Sequence, residues 1–78
     1  MLKLLIADAA EDFRAALAEA TKGMYIVKTC EDGPAALELA RTFGPDLLIL
    51  DLMIPGMDGL SLVQLITQIR GKPLILAT

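Results

Sequence analysis

The sequence of 78 residues predicts an α/β fold built on a small parallel sheet. Strand-type and helix-type segments alternate along the whole chain, which is typical of parallel strands joined by right-handed helical crossovers. A run of four aliphatic residues, Leu47–Leu50, lies between Pro45-Asp46 and a turn rich in proline and glycine. Such a run is typical of a strand buried on both faces. We therefore expect one small domain over residues 1–78.

Four strands are predicted from aliphatic and β-branched segments. They are expected at Leu2–Ala7, Tyr25–Cys30, Leu47–Leu50 and Leu74–Ala77. The glycines and prolines are expected to end the helices that precede three of the strands, at Gly23, Gly44-Pro45 and Gly71-Lys72-Pro73.

Three helices are predicted between the strands. The first covers Glu11–Ala20, the second begins at Asp32-Gly33-Pro34, and the third begins after Asp58. Asp32 and Asp58 are favourable N-cap residues, and proline is tolerated in the first turn. Apolar residues at helical spacing share one face in each helix: Phe13, Ala16, Leu17 and Ala20 in the first, Ala36, Leu37, Ala40 and Phe43 in the second, and Leu62, Leu65, Ile66 and Ile69 in the third.

The composition argues against several functional classes. The formal charge is -3 and the lysines and arginines are dispersed, so no basic stripe indicates direct nucleic-acid contact. No apolar run approaches the roughly 18 residues of a membrane span, and Asp8 interrupts the short N-terminal one. Cys30 is the single cysteine and is expected to be a small buried hydrophobe. We expect a soluble, cytoplasmic protein.

Asp51 is the first candidate functional residue, because it directly follows the third strand. The carboxyl ends of parallel strands form the edge at which α/β proteins bind ligands. A carboxylate there is held rigidly on one side and solvated on the other, which suits a nucleophile or a metal ligand. Asp8 follows the first strand and Thr78 follows the fourth, so both are candidates for the same edge.

The segment around Asp51 reads LILDLMIPGMDG over residues 48–59. It resembles the phosphoacceptor segment of response-regulator receiver domains, in which an aspartate follows a hydrophobic strand and precedes a proline and a Met-Asp-Gly group. The resemblance covers the whole chain and implies a flavodoxin-like doubly wound sheet with the strand order 2-1-3-4. It also implies that Asp51 accepts a phosphoryl group from a sensor histidine kinase, in a protein that is not itself an enzyme.

A metal site is a second implication of the resemblance. Mg²⁺ would be held by Asp8, Asp51 and the backbone carbonyl of Met53, since this ion prefers oxygen ligands. The hydroxyl of Thr78 would contact the phosphoryl group and couple it to conformational change. Receiver domains normally have two consecutive acids after the first strand, and here the second is replaced by Ala9. We therefore expect weak Mg²⁺ binding.

The C-terminal end is a further departure from the family. Receiver domains normally continue through a fourth helix, a fifth strand with a following lysine, and a fifth helix. The present residues correspond to a receiver domain truncated after its fourth strand, so we expect impaired phosphorylation. An uncovered sheet face and an open strand edge at Leu74–Leu76 also predict a homodimer that covers them.

Other interpretations remain open. The chain could be a pseudo-receiver that works without phosphorylation, as Ala9 favours, or a shortened unit that serves only for dimerisation. A small-molecule phosphatase is a distant alternative, because Met53 occupies the place of its second catalytic acid. Asp8 could simply cap the first helix. Thr78 could have no role beyond ending the chain.

Overall fold

The computed structural model describes residues 1–78 and contains four strands and three helices. The strands are β1 (Lys3–Ala7), β2 (Ile26–Cys30), β3 (Leu47–Leu50) and β4 (Leu74–Ala77). The helices are α1 (Glu11–Thr21), α2 (Gly33–Thr42) and α3 (Gly59–Thr67). All strand pairs are parallel, in the order β2-β1-β3-β4, which confirms the predicted flavodoxin-like fold.

The register of the sheet aligns the carboxyl ends of its strands. Ala7 lies opposite both Cys30 and Leu50, and Leu50 lies opposite Ala77. The central strand β1 is buried from Leu4 through Ala7, so it has little freedom to shift relative to its neighbours. The residues that follow the strands are therefore held at one level along the edge.

The main hydrophobic core lies between the sheet and the helices α2 and α3. Alternation along the strands directs one set of buried side chains to this face, and the helices contribute their own apolar faces: Leu5, Ala7, Leu48, Leu50, Ala36, Ala40, Phe43, Leu62 and Ile66. Both predicted caps are confirmed. Oδ1 of Asp32 accepts a hydrogen bond from the Ala35 amide at 2.8 Å, and Oδ2 of Asp58 accepts one from the Ser61 amide at 3.0 Å.

Two helix faces differ from the sequence prediction. In α1 the side chain of Phe13 is 45% exposed, and no residue of the helix is fully buried. Its half-buried residues are Arg14, Leu17, Ala18 and Thr21, so the packed face is rotated from the predicted one. Leu65 of α3 is also exposed. Aliphatic periodicity identified these helices, but it did not fix how each one is rotated against the sheet.

The other face of the sheet is only partly covered. An apolar trough of about 570 Å³ lies between the end of α1 and β4 and is lined mainly by hydrophobic residues: Leu4, Met24, Tyr25, Leu47, Ile49 and Leu76. Leu47 and Ile49 are half-buried there, so β3 is fully buried on one face rather than on both, as the sequence had predicted. Leu74 at the open edge is 72% exposed. None of the three helices is long and apolar enough to cross a membrane.

Cys30 ends β2 and is half-buried beside the core, a partial match to the predicted buried position. Burial raises the pKa of its thiol to about 11, and the nearby charge of Asp32 acts in the same direction. The thiolate is the reactive form, so a pKa near 11 in place of 9.0 leaves Cys30 largely unreactive at neutral pH.

We predict that folded protein at pH 8 reacts with iodoacetamide roughly 100-fold more slowly than urea-unfolded protein, because about two pKa units separate the thiolate populations. Mass spectrometry of the alkylated chain measures both rates. Equal alkylation rates in the two states would contradict the raised pKa of Cys30.

The raised pKa also affects stability. The contribution of the protonated thiol to the free energy of unfolding is fully present below pH 9.0 and is lost as the pH rises towards 11.

Candidate functional site

Asp8, Asp51 and Thr78 lie side by side at the carboxyl edge of the sheet. The amide of Asp51 donates to the carbonyl of Ala7 at 2.9 Å, and the amide of Thr78 donates to that of Leu50 at 2.8 Å. The amide of Asp8 donates likewise to Cys30 at 3.1 Å. Neighbouring strands are about 4.8 Å apart, so Asp51 is flanked by Asp8, which follows β1, and by Thr78, which follows β4.

Asp8 is only 8% exposed. Its Oδ1 accepts a hydrogen bond from the amide of Ala10 at 2.8 Å, whereas Oδ2 has no partner within the chain and remains accessible to solvent. The N-cap residue of α1 is Ala10 rather than Asp8. The Asp8 carboxylate therefore shapes the turn before the helix and retains one free oxygen at the strand edge.

Asp51 has the same arrangement one strand away. Its half-buried carboxylate accepts a hydrogen bond from the amide of Met53 at 2.8 Å through Oδ1, and its backbone carbonyl accepts one from Ile54 at 3.0 Å. Oδ2 makes no hydrogen bond within the chain. The side chain of Met53 is 86% exposed, and its backbone carbonyl accepts no hydrogen bond. One carboxylate oxygen of Asp51 and the backbone carbonyl oxygen of Met53, two residues later, therefore make no hydrogen bond within the chain.

Thr78 is exposed and weakly held. Its hydroxyl donates to the carbonyl of Leu50 at 3.5 Å, the outer limit of a hydrogen bond, so the hydroxyl loses little if it rotates to another acceptor. The carbonyl of Thr78 accepts a hydrogen bond from Leu52 at 3.1 Å, which ties the end of β4 to the segment that follows Asp51.

The oxygen atoms at this edge suit a hard divalent cation. Ala9 is exposed and supplies no side-chain oxygen, and no cluster of three or more acidic, histidine or cysteine side chains is present. The oxygen atoms that could hold a metal ion here belong to the carboxylates of Asp8 and Asp51 and the backbone carbonyl of Met53. Mg²⁺ is commonly bound by one or two carboxylates while it retains several waters, so the residues fit this ion with fewer charged ligands than three acids would offer.

Arg14 is a neighbour of the site that the sequence prediction missed. Its guanidinium donates to the backbone carbonyl of Asp8 at 2.7 Å and lies 3.8 Å from the carboxylate of Glu31. These contacts hold the turn after β1 against the end of β2. The sequence did not indicate that Arg14 lies near the site, because the predicted packed face of α1 did not include it.

Gly33 is a second missed residue. Its amide donates to the carbonyl of Pro55 at 2.8 Å, so the start of α2 is joined to the segment that follows Asp51. The sequence marked Gly33 only as part of a helix start. A contact between segments so far apart in the chain has no local signature.

Comparison with known proteins shows the family of this chain. Residues 4–78 match the family profile described as the response regulator receiver domain. The chain is 36% identical over 78 residues to the response regulator PleD of Caulobacter vibrioides. Among solved structures it is similar to the N-terminal domain of an uncharacterised protein from Wolinella succinogenes, with a TM-score of 0.90 and 27% identity. The chemotaxis response regulator CheY4 of Vibrio cholerae matches with a TM-score of 0.89 and 28% identity.

These matches cover nearly all of this chain but only part of the relatives. They include 96% of the chain and 17% of PleD, 99% and 63% for the Wolinella domain, and 99% and 67% for CheY4. The profile match, the sequence relatives and the strand order all indicate a receiver domain. The chain belongs to the response regulator receiver domain family.

Proposed function

We propose that residues 1–78 act as a phosphoacceptor in two-component signalling and that Asp51 receives the phosphoryl group from a sensor histidine kinase. The observation that carries the proposal is the free Oδ2 of Asp51 at the carboxyl edge, between Asp8 and Thr78. In this role the domain is a signalling module rather than an enzyme. A cytoplasmic location is part of the same proposal, because the cognate kinase would present its phosphohistidine there.

The chemistry requires one bond to form and one to break. Oδ2 of Asp51 attacks the phosphorus of the phosphohistidine, a P–O bond forms, the P–N bond breaks, and the imidazole leaves with its electron pair. The hydrogen bond from the Met53 amide holds Oδ1 and so orients the attacking oxygen. The Thr78 hydroxyl is free to turn from Leu50 and donate to a phosphoryl oxygen.

Mg²⁺ fits this proposal as a weakly bound cofactor. Asp8, Asp51 and the carbonyl of Met53 would hold it, and when bound it would offset the negative charge of the donor and orient its oxygens. The replacement of an acid by Ala9 is also what favours the alternative of a phosphorylation-independent receiver. Binding measurements on variants of Asp51 and Ala9 distinguish a phosphoacceptor from a phosphorylation-independent receiver.

The first prediction from the proposed function concerns the acceptor. We expect beryllofluoride, a phosphoryl mimic, to bind the wild-type chain only with Mg²⁺ and to show no binding to Asp51→Asn, because the amide cannot form the carboxylate–beryllium bond. Fluorine NMR measures the bound mimic. A matched control is Asp46→Asn, which changes an exposed carboxylate at the opposite edge. Equal binding by wild type and Asp51→Asn would refute the acceptor assignment.

The second prediction concerns Ala9. The substitution Ala9→Asp adds a charged oxygen ligand, so we expect the dissociation constant for Mg²⁺ to fall by roughly tenfold or more. Isothermal titration calorimetry measures it. Without metal, a third carboxylate at the edge should lower the urea midpoint through charge repulsion. Ala9→Asn is the control that adds a neutral oxygen. Unchanged Mg²⁺ affinity in Ala9→Asp would show that residue 9 lies outside the metal site.

We propose as a second role that residues 1–78 form a homodimer through the apolar trough and the edge of β4. The observation that favours it is the exposure of hydrophobic side chains there, with Leu74 72% and Leu76 62% exposed. Burial of a few hundred Å² of apolar surface contributes several kcal/mol at about 25 cal/mol per Å². That is comparable with the stability of a whole small domain. Twofold pairing would cover both copies at once.

The third prediction tests this dimer. Analytical ultracentrifugation of residues 1–78 at micromolar concentration should give twice the chain mass of 8.3 kDa. Leu76→Lys should shift the equilibrium to monomer, because it places a charge at the interface. Leu60→Lys, on the exposed surface of α3, should leave it unchanged. A cooperatively folded wild-type monomer would overturn the dimer proposal.

A further inference from the structure

The start of α2 makes close contact with the β3–α3 loop, defined here as Asp51–Asp58. The hydrogen bond from the Gly33 amide to the carbonyl of Pro55, at 2.8 Å, is the centre of this contact. Gly33 is the first residue of α2 and is buried. The loop that begins with the candidate acceptor is therefore held by a helix that contributes no side chain to the site.

The contact leaves no room for a side chain at Gly33. A Cβ there would lie 2.8 Å from Cβ of Met57 and 3.0 Å from its Cγ, which is well inside van der Waals contact. The loop side is equally close, since a Cβ on Gly56 would lie 2.8 Å from Cδ of Pro34. Gly56 also has a φ of 89°, a conformation that other residues rarely adopt. The two backbones thus meet at a distance that glycine permits.

The contact is linked to Asp51 by a short stretch of backbone. The Met53 amide holds Oδ1 of Asp51, and the Ile54 amide holds its carbonyl. Pro55, which accepts the bond from Gly33, follows directly. Ile54 is buried at 3% exposure, so the loop cannot swing outward without losing apolar burial. A shift at Pro55–Met57 would therefore move the Met53 amide, which bonds the carboxylate of Asp51, and the Ile54 amide, which bonds its backbone carbonyl.

We propose that Gly33 is a positioning residue for phosphoryl transfer, acting through Pro55 and the Met53 amide on the carboxylate of Asp51. The inference rests on the proposed function, since it assumes that Asp51 is the acceptor. A displacement of about 1 Å at a reacting group can cost on the order of 100-fold in rate. The bond and the close approach at Gly33 limit such displacement.

The test compares matched variants. Gly33→Ala introduces the close contact with Met57. Alanine has a higher helix propensity than glycine, so any loss would come from this contact and not from helix propensity. Gly23→Ala is the control, because a Cβ there meets nothing within 4 Å. Gly33→Ala/Met57→Gly removes the atoms that the new methyl group would strike, and Met57→Gly alone completes the double-mutant cycle.

The first readout is phosphorylation by a small acyl phosphate with Mg²⁺. We expect Gly33→Ala to lower the rate constant at saturating donor about tenfold, as a mispositioned nucleophile should. An unfolded fraction in rapid exchange with the folded state would lower the observed rate constant only in proportion to its size, which circular dichroism measures independently for each variant. Gly23→Ala should match wild type. The double variant should regain most of the rate that Met57→Gly alone shows.

The second readout is hydrogen exchange, and its comparison of Gly33→Ala with wild type needs neither metal nor donor. In Gly33→Ala the amides of Met53 and Ile54 should exchange faster, while amides in β1 keep their wild-type rates. In wild-type protein, beryllofluoride with Mg²⁺ should slow exchange at the Gly33 amide. If the Gly33–Pro55 hydrogen bond favours binding of the mimic, the bound mimic must in turn favour that hydrogen bond. This measurement remains available if Gly33→Ala does not fold.

The outcomes separate this inference from the function on which it rests. A wild-type rate constant in folded Gly33→Ala, or unchanged exchange at Gly33 on beryllofluoride binding, would overturn the positioning role. Persistent binding of beryllofluoride in Asp51→Asn would overturn the proposed function itself. Loss of binding in Asp51→Asn with a wild-type rate in Gly33→Ala would retain the acceptor and reject only Gly33.

Discussion

The parallel register of β1, β3 and β4 is the constraint on which the candidate site depends. Because Ala7, Leu50 and Ala77 lie opposite one another, the next amide on each strand finds an acceptor at the end of its neighbour. Hydrogen bonds thus continue one residue past the strands and include Asp51 and Thr78. The aliphatic interior of the sheet keeps this register, since a slip of one residue would turn buried side chains to the opposite face.

Both carboxylates at the edge are oriented by the same local device. Oδ1 of Asp8 bonds the amide of Ala10, and Oδ1 of Asp51 bonds the amide of Met53, in each case two residues further on. Such turns are characteristic of aspartate, whose short side chain reaches its own backbone. In both cases one oxygen is used to shape a turn and the other stays free. The orientation of each carboxylate therefore arises from local backbone geometry as well as from the sheet.

The sequence predicted the features that have local causes. Aliphatic runs between turn residues located the strands, and the caps Asp32 and Asp58 were recognised because their side chains bond amides within the next turn. The rotation of α1 was not predicted. Phe13 dominates the apolar pattern of an alanine-rich helix, yet Arg14 faces inward because its guanidinium finds the carbonyl of Asp8. That partner comes from another element, so periodicity cannot reveal it.

The contact at Gly33 was hidden for the same reason. A glycine at a helix start has several local explanations, and only the assembled fold brings it against Pro55 and Met57. The three candidate site residues could be predicted because the sequence indicates where the strands end. In a parallel sheet the carboxyl ends of the strands lie at one edge. Residues that merely hold the loops lie on other elements. They can be found only once the packing is known.

The identity of residue 9 links the candidate site to the stability of the domain. Carboxylates crowded at one edge repel each other when no cation is bound, and each added charge raises the cost of the metal-free state. With Ala9 the edge carries Asp8 and Asp51 but no third acid, so this repulsion is smaller. If Asp8 and Asp51 bind a cation as proposed, the same absence leaves that cation with one charged ligand fewer. If the proposed function holds, Ala9 is therefore expected both to weaken Mg²⁺ binding and to reduce charge repulsion in the metal-free domain.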